Sequence, residues 1–118
     1  MADRVIFIGW SNVVRGREQA SQKSFAEAME FWGRLKASGE IESFDAVLLD
    51  AHGGDLGGFV LLKGEAEKLA RVRMSAEMLQ MMVRADLVVD GLGAVGGVIG
   101  DGVGRQMAMF QEASSALG

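Results

Sequence analysis

Apolar residues along this chain switch between a period of two and a period near 3.6, and the switches predict its elements in order. Val5-Ile6-Phe7-Ile8-Gly9-Trp10 is β-branched and aromatic with no charge on either face, which predicts a central strand from Arg4 to about Val14. Gly16 precedes a helix from about Arg17 to Ser38, where Phe25, Ala28, Met29, Trp32 and Leu35 fall at helical spacing and Gly39 supplies a terminator. Two strand-like runs follow, Phe44 to Ala51 and Phe59 to Lys63. The glycine-rich segment from His52 to Gly58 between them predicts a hairpin and antiparallel neighbours. A second helical region spans Glu65 to about Ala85, broken near Ser75, which caps a new helix with Glu77 in its first turn. Met78, Leu79, Met82 and Val83 form its expected buried stripe. Leu87 to Gly100 is apolar and glycine-rich, which fits a last strand with a bend or bulge, and Met107 and Phe110 predict a short C-terminal helix.

Side chains alternate along a strand, so the hairpin can be divided into faces. Val47, Leu49 and Ala51 form one uncharged set and Val60 and Leu62 another, and both are expected to pack under the helices. The opposite set, Phe44, Ala46, Leu48, Asp50 and His52 with Phe59, Leu61 and Lys63, is apolar in the middle and polar toward its ends. Ordinary solvated sheet would alternate polar outward, so this second face reads as a pocket or interface lining. A four-stranded sheet with five residues per strand has a face of roughly 300 Å². Leaving it wet forfeits on the order of 8 kcal/mol per chain, and pairing two such faces regains about 15 kcal/mol against an association cost of about 4–15 kcal/mol.

Composition narrows the function classes. The 118 residues suit one domain over 1–118, and 49% apolar with 24% charged residues is near the globular average. The absence of cysteine removes disulfides, thiol nucleophiles and thiolate metal sites, and is compatible with a reducing cytoplasm. The opening Met-Ala-Asp-Arg lacks the pattern of a signal peptide, and no apolar run reaches the ~18 residues that mark a membrane span. A soluble cytoplasmic protein with no membrane partner is therefore expected. Twelve basic against sixteen acidic residues give a net charge of -4 with no basic patch, which argues against a nucleic-acid partner.

The order strand-helix-strand-strand-helix-strand, the apolar second sheet face and the length resemble the dimeric α+β barrel group of ferredoxin-like proteins. That group includes YCII-related proteins, antibiotic-biosynthesis monooxygenases, muconolactone isomerases and haem-binding or haem-degrading enzymes. Within it, the stretch from Val47 to Phe59 and the later Val88-Val89-Asp90-Gly91-Leu92-Gly93 are similar to YCII-related and small uncharacterised bacterial proteins. The resemblance implies an α+β, ferredoxin-like βαββαβ fold with an antiparallel four-stranded sheet. It also implies a homodimer, two sheets packed face to face, with a cavity inside the barrel or between sheet and helices.

Gly91-Leu92-Gly93-Ala94-Val95-Gly96 matches the dinucleotide pattern G-x-G-x-x-G. That chemistry needs a helix opening at the third glycine and a second parallel strand carrying an acid. Here the following stretch contains Gly97, Gly100, Gly102 and Gly104, each costing a helix interior up to about 1 kcal/mol. A glycine-rich strand or bulge is the stronger reading.

His52 is the only histidine, and Asp50 two residues earlier falls on the same predicted face. The carboxylate could orient the imidazole and raise its basicity, and the likeness to YCII-related proteins implies such a pair. The plainer alternative is a histidine at a strand end, bonded to backbone or water beside a glycine turn. Trp10, Phe59 and Lys63 could line a cavity with an aromatic wall and a cation, against the alternative of interface packing. Met74, Met78, Met81 and Met82 fit helical core better than an adaptable ligand surface.

Three function classes follow. The favoured one is a homodimer, paired through its open sheet face, that binds a small hydrophobic or aromatic acidic ligand in the barrel cavity through Trp10, Phe59 and Lys63, with no cofactor and no metal. The alternative is a cofactor-independent isomerase, lyase or oxygenase using His52 as acid-base with Asp50. A third, which the resemblance allows, is haem binding through His52.

Overall fold

A computed structural model describes residues 2–118. The order is β1 (Arg4–Trp10), α1 (Glu18–Ala37), β2 (Ser43–Leu48), β3 (Gly58–Gly64), α2 (Ala66–Met74), α3 (Ala76–Asp86), β4 (Gly93–Val98) and α4 (Asp101–Ala116). The four strands form one antiparallel sheet in the order β2-β3-β1-β4. This is the expected ferredoxin-like α+β arrangement, with β1 central.

β1 ends with its apolar run at Trp10, short of the expected end near Val14. After Trp10 the chain leaves the sheet and pairs instead with the segment before β4, through a bridge between Val13 and Val89 and hydrogen bonds from Ser11 N–H to Asp90 C=O (2.8 Å) and from Val14 N–H to Val88 C=O (2.9 Å). The partner strand bends at Gly91, whose φ of +66° is left-handed and whose missing Cβ would lie 2.5 Å from Ser11 Oγ. The dinucleotide-like glycines are thus a bend leading into an antiparallel strand, and α4 opens only at Asp101.

Helix signals hold closely. Gly39, at φ +80°, ends α1 with Gly39 N–H to Lys36 C=O and Glu40 N–H to Leu35 C=O, the paired bonds of a Schellman motif. Ser75 separates α2 from α3, and its Oγ accepts the Met78 N–H at 3.2 Å. The stripe of α3 is turned from the expected one. Met78 and Met81 are buried, whereas Leu79 and Val83 are exposed.

The hairpin register requires a larger correction. Phe44 lies opposite Leu62, Ala46 opposite Val60, and Val47 opposite Phe59. Opposed residues share a face, so Phe44, not Val47, joins Val60 and Leu62 beneath the helices, and Ala46 shares that face but is exposed on edge strand β2. β2 also ends at Leu48, which leaves Leu49, Asp50, Ala51 and His52 in the loop. The core lies between this face of the sheet and α1, α2 and α3, around Ile6, Ile8, Trp32, Leu62 and Met78. Phe7, Leu61 and Val95 lie on the other face, and none of them belongs to that core.

Candidate functional site

Between the helix-covered face of the sheet, α1 and α3 lies a half-open cavity of about 430 Å³. Its floor is Ile8, Trp10 and Val60, its α1 wall includes Phe25, Ala28 and Trp32, and its α3 wall is Met81, Met82 and Ala85. Val88, Val89 and Leu92, in and beside the bent segment, close one end, and the exposed Leu48 stands at the sheet edge. α1 and α3 present the small Ala28 and Ala85 to this space. Trp10 meets Phe25 edge to face at 6.2 Å between ring centroids.

The polar groups lining the cavity are Ser21, Gln22 and Ser24, and among the described lining residues none is charged. A ligand there loses water without gaining an ion partner, which favours an uncharged body over an acid. Trp32 Nε1 is buried with no hydrogen-bond partner among the described residues, at a cost of about 1–3 kcal/mol. Trp32 is only 2% exposed and that nitrogen has almost no accessible surface, so it is not presented to a ligand.

Charges gather outside this space. Arg34 pairs with Glu77 at 2.7 Å and Arg84 lies 3.8 Å from Glu27, linking the outer faces of α1 and α3. The hydrogen bond and charge of Glu77 raise the Arg34 pKa. The Gly16 N–H donates to the Glu18 carboxylate and holds it below its ordinary value, at the start of α1. No group of three or more His, Asp or Glu among the described residues is arranged to hold a metal ion.

The residues singled out in the sequence do not gather in one place. Trp10 lines the cavity. Phe59 lies on the opposite face of the sheet, stacked on Phe7 at 5.0 Å. Lys63 is on that same far face, and its Nζ is 2.9 Å from the Asp45 carboxylate. The three therefore do not form a common pocket within one protomer.

His52 is exposed in the β2–β3 loop. Its Nδ1 accepts the Gly54 N–H at 3.1 Å, which makes Nε2 the donor to the Leu56 C=O at 2.7 Å. Neither partner is Asp50, and neither residue lines the cavity. Of the methionines, Met29, Met81 and Met82 line it, while Met78 is core and Met74 is exposed. Phe25, Val88 and Leu92 were missed as site residues because they come from distant parts of the chain. Their only sequence signal is apolarity, which core residues share.

No protein-family model and no curated protein matches the chain. Solved structures do match its fold. A DABB family protein with a ferredoxin-like fold from Mesorhizobium loti aligns at a TM-score of 0.63 and 9% identity, covering 82% of this chain and 97% of the other. A dimeric ferredoxin-like protein of unknown function from Jannaschia sp. CCS1 aligns at 0.62 and 7% identity, covering 83% and 98%. SnoaB, a cofactor-independent oxygenase from Streptomyces nogalater, aligns at 0.50 and 17% identity, covering 83% and 92%. At these identities the likeness shows the fold. The neighbours are dimeric ferredoxin-like, DABB and antibiotic-biosynthesis-monooxygenase-type proteins. No helix among the described residues is long and apolar enough to cross a membrane.

Proposed function

We propose that this chain forms a homodimer through the open faces of its sheets and that each protomer takes up a small, uncharged hydrophobic or aromatic molecule between the sheet, α1 and α3. The observation that carries the ligand reading is the roughly 430 Å³ cavity with aromatic, aliphatic and methionine walls and no charged side chain lining it. An acidic ligand held by Lys63 has less support, because that cation already faces Asp45 across the sheet from the cavity. The apolar open face and the dimeric neighbours support the pairing of two copies.

Both tryptophans of the chain, Trp10 and Trp32, line the cavity, so intrinsic fluorescence reports its occupancy directly. Titration with 1-naphthol should quench or shift that emission saturably, with 1-naphthoate at neutral pH binding at least about tenfold more weakly, a gap of about 1.4 kcal/mol. Ala85→Phe, which places a ring in the cavity, should abolish the response. Unchanged emission with both probes, or binding to the Ala85→Phe variant equal to that of the parent chain, would remove this reading.

Catalysis by His52 as acid-base, oriented by Asp50, is the alternative that the YCII likeness suggests, and haem ligation by His52 is a third. The two backbone hydrogen bonds of the imidazole favour a loop-ordering role over either.

A further inference from the structure

The C-terminal helix is the least explained part of the molecule. α4 is fixed at its first turn, where Gly102 packs against Asp3 and Val98 and Arg105 pairs with the Asp3 carboxylate. Every residue from Val103 onward is exposed. Val103, Met107, Phe110 and Leu117 are 47%, 58%, 68% and 91% exposed. Their spacing of four, three and seven places them on one side of a helix, an apolar stripe without a partner among the described residues. A 16-residue helix with Gly102 and Gly104 near its start is marginal in water by itself. Its stability calls for a surface against that stripe.

We infer that the surface belongs to a second copy of this chain, and that α4 is an arm completing the dimer proposed above, on which this inference rests. Area is the first reason. Two open sheet faces of roughly 300 Å² each bury about 600 Å², the scale of a lattice contact and well short of a stable interface. An arm of 16 residues is roughly 24 Å long and presents a stripe about 10 Å wide. Two arms, with the surfaces they cover, add roughly 1,000 Å² and bring the total to the standard range of about 1,200–2,000 Å². Continuity is the second reason. α4 follows edge strand β4 directly, and that strand carries the 58%-exposed Val95 on the open face. The arm therefore starts at the margin of the surface that the second copy covers.

The test is sedimentation velocity across a dilution series on the full chain and on the double variant Met107→Glu/Phe110→Glu, with Met109→Glu as a control, since Met109 is equally exposed but lies off the stripe. The double variant should raise the dimer dissociation constant at least about 100-fold with its thermal unfolding as a dilute monomer unchanged, and Met109→Glu should stay within about threefold. Hydrogen exchange gives an independent readout: α4 amides should be protected at concentrations where the dimer forms and exchange rapidly on dilution. A double variant that dimerises like the parent overturns the arm and leaves the sheet-face dimer standing. Protection of α4 that persists in the dilute monomer overturns it too. A parent chain that is monomeric throughout removes both the arm and the dimer.

Discussion

Both faces of the sheet carry a band of apolar side chains, and the two bands have different fates. On one, Ile6, Ile8, Val60 and Leu62 are each no more than 5% exposed beneath three helices. On the other, Val5 is buried at one end, Phe7, Phe59 and Leu61 are half-buried and Val95 is 58% exposed. β1 supplies apolar residues to both. A strand with apolar residues on both faces gives no direction to its burial, and here one face is covered by helices while the other stays largely open.

The contrast is tested most strongly at adjacent residues of β3. Leu62 is fully buried, so Leu62→Ala should cost about 2–5 kcal/mol in denaturant unfolding at any protein concentration. Leu61→Ala, on the other face, should cost about 1 kcal/mol in the dilute monomer. The Leu61 penalty should grow with concentration as the dimer forms. Equal, concentration-independent losses at the two positions would mean that the faces do not differ as argued.

A smaller effect is expected at His52, outside both surfaces. His52→Ala removes two hydrogen bonds within its own loop and should lower stability by about 1–2 kcal/mol. The 1-naphthol affinity should stay within about threefold. Loss of binding, or of any turnover subsequently found, would move the functional centre toward the loop.

The smallest effect lies at the entry to α1. The Gly16 N–H lowers the folded-state pKa of Glu18 below its ordinary 4.5, so the ionised carboxylate adds stability above that value. The contribution is lost as pH falls through the lowered value. An NMR titration should show the Gly16 amide signal moving with the Glu18 carboxylate, and Glu18→Gln should abolish that movement. A Gly16 signal that moves equally in the variant would separate the two groups.

The chain's local chemistry made much of the fold legible. Gly39 stops α1, Ser75 caps α3, and the glycines from Gly91 onward bend and line an antiparallel strand, because each acts through backbone geometry within a few residues of itself. The candidate site was legible only at Trp10. Its other walls unite β3, α1, α3 and the segment before β4, and no short motif spans that distance.

The order and type of the elements, and the surplus of apolar surface on the sheet, follow from local patterns of residues along the chain. Tertiary structure decided which half of that surplus is buried. A one-residue change in strand register exchanges the faces, as happened to Phe44 and Val47, and both settings leave a similar apolar pattern. A modest rotation of α3 likewise selects Met81 over Leu79 and Val83, since either stripe satisfies helical spacing. Such choices are set by which side chains fill the space between sheet and helices, and that space does not exist until the chain has folded.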